Sequence, residues 1–439
     1  MHRPLIRFVP ESGSQVSPII RWCLYLFLFS LPFETLGSSR EESAFVSISR
    51  LIGYVFTLTT FLQVRICYRR PPAAFWGFTL FLAVCTVLAL PVEGYAAERA
   101  SAFLLTLTQT IILFWVCYNL FQDERVRGAF PWFYIAAVLL LAILQLSGFL
   151  ETQAVEGEET RATVLSLNAN AYGLCLGVAL TSLICMLYGR ASRIFLPLPL
   201  LLLSAIPLLI SLLGTGSRSA MAGLLIGIAA LILNLSGSWK QRLSRLSVAA
   251  GTILAVVFLA TQSETLMERW EKALEKGNYS QREFIYPVSW AMIQESPWIG
   301  WRPGEDSVEL RNRLLATANR NTALLRTKER SAHNLALAAL MRAGLLGGIP
   351  YLLAWVFCGI AAWNARKGTE GIMPFALFLV LLISALATST MYRKVVWVYL
   401  AYAAAAGAVV AQQRRAKQQI LPMPPPWATL EAGEPNDAR

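Results

Sequence analysis

Histidine is nearly missing from this chain: there are two in 439 residues, His2 and His333. Charge is scarce as well, at 15% of residues, where a soluble domain carries about 25%. The seven cysteines (Cys23, Cys67, Cys85, Cys117, Cys175, Cys185 and Cys358) are odd in number and all fall in or beside apolar runs. That leaves no disulfide framework and no metal-ligand spacing, so the thiols read as small packing groups. There is no H-E-x-x-H, no Cys/His cluster and no D-x-D, and metal chemistry is poorly supplied. The best acidic group, Glu305, Asp306 and Glu309, reads as a solvated face. No G-x-S-x-G elbow is present for a serine hydrolase. No phosphate-binding glycine pattern follows a strand, because no segment reads as a strand.

What the chain does have is apolar length. It is 56% hydrophobic, with a mean hydropathy of +0.52. Runs of about 18–24 apolar residues, each long enough to cross about 30 Å of hydrocarbon, recur from end to end. They predict an all-α, polytopic membrane protein with about twelve spans, at 19–33, 45–64, 73–92, 101–121, 130–149, 164–188, 194–213, 218–235, 246–262, 332–363, 371–389 and 395–411. The basic N-terminus and first apolar run resemble a signal peptide, but the many later spans favour an uncleaved first helix.

The net charge of +12 follows the same topology. With both termini in the cytoplasm, every inside segment is rich in Lys or Arg, including R-I-C-Y-R-R-P-P, S-W-K-Q-R-L-S-R and Q-Q-R-R-A-K-Q-Q. The short outside loops are acidic or balanced. That is the positive-inside rule, and it leaves nucleic acid without support as a partner. The chain divides into nine spans (1–261), one large outer loop of some seventy residues (262–331), three more spans (332–411) and a Pro-rich tail (412–439). Within the loop, E-T-L-M-E-R-W-E-K-A-L-E-K-G predicts an amphipathic helix with Leu266, Trp270 and Leu274 on one face.

Four places in this pattern carry candidate chemistry. In S-L-L-G-T-G-S-R-S-A-M-A, an arginine interrupts the apolar sequence; Gly214 and Gly216 permit a turn, Ser217 or Thr215 caps the next helix, and Arg218 begins it. A helix N-terminus bearing a guanidinium suits an anion, phosphate above all. R-A-T-V-L-S-L-N-A-N opens the sixth span, with Arg161 outside it and Asn168 and Asn170 in its first turns. Asparagine in such a place faces a partner helix or a wet cavity. Arg282 precedes a P-W-I-G-W turn in the loop. His333 and Asn334 open the tenth span, followed by Gly344 and Gly347, small residues that admit another helix. An imidazole with an unperturbed pKa near ~6.5 is the natural proton acceptor at neutral pH. The topology puts Arg161, Arg218, Arg282 and His333 on one side, a set suited to hold a pyrophosphate and deprotonate a hydroxyl.

The turn at 214–220, the R…P-W-I-G-W segment at 282–301 and the His333-Asn334…Gly344-x-x-Gly347 pattern resemble the O-antigen ligase family, within the wider group of O-antigen polymerases and O-oligosaccharyltransferases. The resemblance covers most of the chain and implies a GT-C-like glycosyltransferase with one large periplasmic loop. It implies transfer of O-antigen from undecaprenyl pyrophosphate to a lipid A–core sugar at the periplasmic face of a bacterial inner membrane. Inversion without a metal or cofactor is implied too. Carried over by motif, Arg218 and Arg282 grip the pyrophosphate and His333 activates the acceptor, with Arg161 a looser match. The basic stretch 311–330 would meet acceptor phosphates. One large loop, where polymerases show two, favours a ligase. The short tail argues against a protein O-oligosaccharyltransferase, and suspicious charges at one face rather than the midplane argue against a transporter.

Overall fold

Long apolar runs leave the backbone no water to bond, so they fold as helices, which pair their amides internally. The computed structural model describes residues 15–34, 48–150, 163–165, 168–189, 197–234, 239–275, 281–317 and 330–420, and among them there is helix and no strand. In chain order the helices are α1 (Pro18–Ser30), α2 (Ile48–Thr60), α3 (Ala73–Ala89), α4 (Gly94–Leu120), α5 (Glu124–Leu146), α6 (Ala169–Gly189), α7 (Leu198–Gly214) and α8 (Arg218–Ala229). There follow α9 (Trp239–Thr261), α10 (Glu264–Leu274), α11 (Arg282–Glu295), α12 (Glu305–Thr317), α13 (Leu335–Ala365), α14 (Met373–Ala387) and α15 (Lys394–Ile420). A helix underlies each of the twelve expected spans. Among the described residues, six helices are long and apolar enough to cross a membrane (α4, α5, α6, α9, α13 and α15), and α1, α3, α7, α8 and α14 are shorter apolar helices.

The core forms where α13 packs on α3 and α15, and where α6 and α8 close on α14. Phe78 meets Trp397 at 4.7 Å and Phe81 meets Tyr351 at 4.7 Å between ring centroids, all four buried. On the other side Val380 of α14 lies against Gly177, Gly223 and Gly227. Helix association in lipid relies on such close backbone approach, since lipid tails are as apolar as leucine. The cysteines are free, and all but the half-buried Cys23 are buried in this packing.

One helix is broken. At Gly344 the backbone of α13 turns to φ 55°, ψ −158°, a region that only glycine enters readily. The loop 297–301 supplies what the break removes: Leu345 N–H donates to Pro297 O (2.8 Å), Leu346 N–H to Trp298 O (3.1 Å), and Trp301 N–H to Met341 O (2.6 Å). Gly344 was expected to admit a helix; it admits this loop, and a Cβ there would stand 2.3 Å from the Trp298 carbonyl. Gly347 does admit a helix, with Phe81 and Val84 of α3 close against it.

The amphipathic helix forms as α10, capped by Ser263, but its buried face is not the expected one. Leu266 and Ala273 are buried, while Trp270 and Leu274 are exposed, Leu274 at 75%. The face toward the bundle carries Thr265 and Arg269, which lie against Gly216.

The bundle has two ends, told apart by polar contacts. Arg127, near the start of α5, pairs with Glu370, just before α14, at 2.8 Å. Eighteen residues on, roughly 27 Å of helix, Gln145 accepts from Tyr172 in the first turn of α6 (3.3 Å), and Asn170 of that turn accepts from Ser217 (3.0 Å). α14 runs away from Glu370 and ends at Ala387, where Arg282 and Asn334 bind. Arg218, Arg282 and His333 therefore share one end of the bundle. The break at Gly344 is the most sensitive joint. Gly344→Ala should destabilise the protein by about 3 kcal/mol, read as a fall in detergent melting temperature, whereas Gly251→Ala, with open space around it, should leave melting nearly unchanged.

Candidate active site

The first component is the turn between α7 and α8. Thr215 hydroxyl donates back to Leu212 O (2.7 Å), Gly216 takes φ 56°, and Ser217 caps α8 by accepting from Ala220 N–H (3.4 Å). The helix begins at Arg218 as expected, and its guanidinium donates to Arg269 O of α10 (3.1 Å). Asn168 caps α6 by accepting from Ala171 N–H (2.8 Å), and Asn170 bridges α6 to α8 through Ser217. The asparagines and Ser217 thus hold the turn that presents Arg218. Arg161 lies outside the described residues.

The second component gathers on the end of α14. A helix leaves its last carbonyls without internal partners. Here Arg282 donates to Ala387 O (2.6 Å), Tyr286 hydroxyl to Leu386 O (3.3 Å), and Asn334 Nδ2 to Leu386 O (3.1 Å). Asn334 also caps α13, accepting from Ala336 and Leu337 N–H at 2.9 and 3.1 Å. His333 sits just before that cap at φ 50°, left-handed for a residue with a Cβ. Its N–H donates to Ser331 hydroxyl (3.3 Å), whose oxygen meets Ser389 hydroxyl beyond α14.

Around His333 the charges are all of one sign. Burial, then the guanidinium groups of Arg330 and Arg282, push its pKa down to about 4, where the sequence alone suggested an ordinary imidazole. Burial disfavours the charged ring, and two cations repel the incoming proton. Near neutral pH the imidazole is therefore unprotonated and free to accept a proton. A bound anion would cancel the cations and raise its basicity.

Residues 203–352 match the O-antigen ligase family. The matched segment, about a third of the chain, holds the Arg218 turn, Arg282, the 297–301 loop, His333 and Gly344; Asn168 and Asn170 precede it. A comparison with curated proteins finds no match. The family supports glycan transfer of the O-antigen ligase or polymerase type for this membrane-embedded chain.

Within the matched segment the acidic group is not a solvated face. Asp306 is buried and pairs with Arg342 of α13 at 2.8 Å, Glu309 pairs with Arg313 at 2.7 Å, and Glu305 faces Arg302 at 3.8 Å. Those carboxylates tie the loop together and to the bundle. The basic stretch divides as well: Arg313 is clamped by Glu295 and Glu309 and lies over Trp301, whereas Arg330 reaches the site. Tyr286 and Arg330 are the site residues that sequence spacing missed. Their one signal is proximity in sequence to Arg282 and His333.

With two histidines in the chain, selective ¹³C-histidine labelling gives a direct test. His333 should titrate near 4, and its resonance is assigned by its loss in His333→Gln. Arg282→Gln removes one repelling cation and should move that titration upward.

Proposed function

We propose that this chain is an O-antigen ligase, moving a glycan from undecaprenyl pyrophosphate to a lipid A–core sugar hydroxyl at the periplasmic face of a bacterial inner membrane, with twelve helices crossing it. The carrying observation is the meeting of Arg282 and a neutral His333 on the end of α14, at the end of the bundle that also presents Arg218. The basic residues at the opposite end, among them Arg125, Arg127, Arg366 and Arg414, support a cytoplasmic assignment for that side.

In this reading the acceptor oxygen attacks the anomeric carbon as the bond to the phosphate oxygen breaks, with inversion. The acceptor proton passes to the His333 imidazole, and the electron pair leaves with the pyrophosphate. Arg218 and Arg282 hold the charge that grows on the departing group, a role fixed cations fill without a general acid. A lipid pyrophosphate is already a good leaving group, so the proposal assigns no metal or cofactor. Donor binding also offsets the cations beside His333, so the base strengthens when there is a substrate to act on.

Reconstitution with undecaprenyl-pyrophosphate glycan and lipid A–core tests the reaction: modified lipid A–core supports the ligase, and lengthened glycan supports a polymerase instead. Arg218→Ala and Arg282→Ala should each lower transfer by about two orders of magnitude or more, with lysine rescuing only partly. Near-normal turnover in both would falsify the clamp. His333→Gln should abolish transfer while donor binding persists. The acid limb of kcat/KM should fall near the free-enzyme value of about 4, and that of kcat at higher pH, since the first reports free enzyme and the second the bound complex. Transfer should survive EDTA; loss on chelation and recovery with Mg²⁺ would remove the arginine-for-metal argument.

A further inference from the structure

Two guanidinium groups face His333, and the reading above gives a task to only one of them. Arg330 is held from both ends. Its backbone N–H donates to Ser307 O of α12 (2.8 Å), and its Nη2 donates to Gln281 Oε1 at 2.5 Å. Gln281 immediately precedes Arg282 and sits in the left-handed region at φ 67°, so it offers its amide to Arg330 from a costly backbone geometry. His333, at φ 50°, is the other strained residue of this cluster. Strain persists where the surroundings over-determine it, and here both strained residues flank the same pair of cations.

The partners of that pair are neutral. Arg282 is bonded to a carbonyl, Ala387 O, and Arg330 to a carboxamide. Among the described residues neither forms an ion pair, and the Arg330 Nε is buried without a hydrogen-bond partner. Burial lowers the Arg330 pKa, a sign that its charge is held against a desolvation cost. Two other arginines of this segment, Arg313 and Arg302, do have carboxylates: Arg313 has two and Arg302 faces Glu305; Arg311, which bonds its neighbour Asn312, does not face His333. From α11 the group facing the imidazole is Arg282, with the Tyr286 phenol at the His333 carbonyl; from the segment before α13 it is Arg330; α14 offers carbonyls. Two half-buried cations whose partners are carbonyl oxygens keep their charge available to an anion, and two forks match the two phosphates of a diphosphate.

We propose that Arg330 is a donor-binding residue: it and Arg282 together hold the diphosphate of the lipid-linked donor beside His333, and Gln281 sets the position of Arg330. This rests on the donor-site reading above and extends it to a residue outside its motifs. Arg330 binds the donor and tunes the base, while His333 alone takes the proton.

The test uses the full-length protein in nanodiscs with undecaprenyl pyrophosphate as probe. Arg330→Gln should weaken binding by about tenfold or more, raise the donor KM more than it lowers kcat, and move the His333 titration upward in labelled protein. Arg330→Lys should keep the His333 titration low and recover part of the affinity. Gln281→Ala should weaken binding less than Arg330→Gln, and it provides the reading if Arg330→Gln does not fold. A merely structural Arg330 would lower the melting temperature and leave the affinity and the donor KM unmoved. Unchanged affinity in folded Arg330→Gln, or in Gln281→Ala where that variant must stand in, overturns the proposal. If Arg282→Ala loses affinity and Arg330→Gln does not, only the role of Arg330 fails. If wild-type protein does not bind undecaprenyl pyrophosphate, the donor-site reading fails with it.

Discussion

The last carbonyls of α14 have no partners in their own helix, and the site is built on that deficit. Arg282, Tyr286 and Asn334 come from two separate parts of the chain and converge on Leu386 O and Ala387 O. Each bond satisfies a carbonyl that the helix end leaves open, and together they fix α11 and the start of α13 against the bundle. His333 is placed by the same device, because its neighbour Asn334 is both the cap of α13 and a partner of α14. A structural role and a chemical role are thus joined in Arg282, so its removal affects both placement and charge.

The segment between α9 and α13 is held by backbone rather than by apolar burial alone. The break at Gly344 opens donors and an acceptor within α13, and 297–301 closes them again. Irregular backbone inside an apolar helix is tolerated where protein satisfies it. The buried pair Asp306–Arg342 adds a second tie between loop and bundle. Its partners are worth more together than either is alone, since a lone buried charge costs several kcal/mol. These ties explain how a loop of charged helices holds Arg282 in register with His333.

Electrostatically, the site stands apart from its surroundings. Arg302 and Arg313 meet carboxylates, yet the two arginines that face His333, Arg282 and Arg330, meet carbonyl oxygens. The result is a neutral imidazole among uncompensated cations, an arrangement suited to a substrate that brings its own negative charge.

Much of this was legible in the sequence, because it depends on local chemistry. Apolar run length marked the helices; G-T-G-S-R marked the turn, a cap at Ser217 or Thr215 and the start of α8 at Arg218; His333-Asn334 marked the start of the next span. Those signals are short-range, set by sterics and capping within a few residues. What tertiary structure alone decided is different in kind. It gave Gly344 to a loop rather than a helix, turned Leu274 of α10 outward, and bound Asp306 to Arg342 where the sequence suggested a solvated face. It also brought Arg330 beside Arg282 and lowered the His333 pKa. Residues 48 and more positions apart meet there, and no periodicity records which distant group will stand next to which. Burial and charge proximity set the chemistry of a histidine, and both are properties of the folded arrangement.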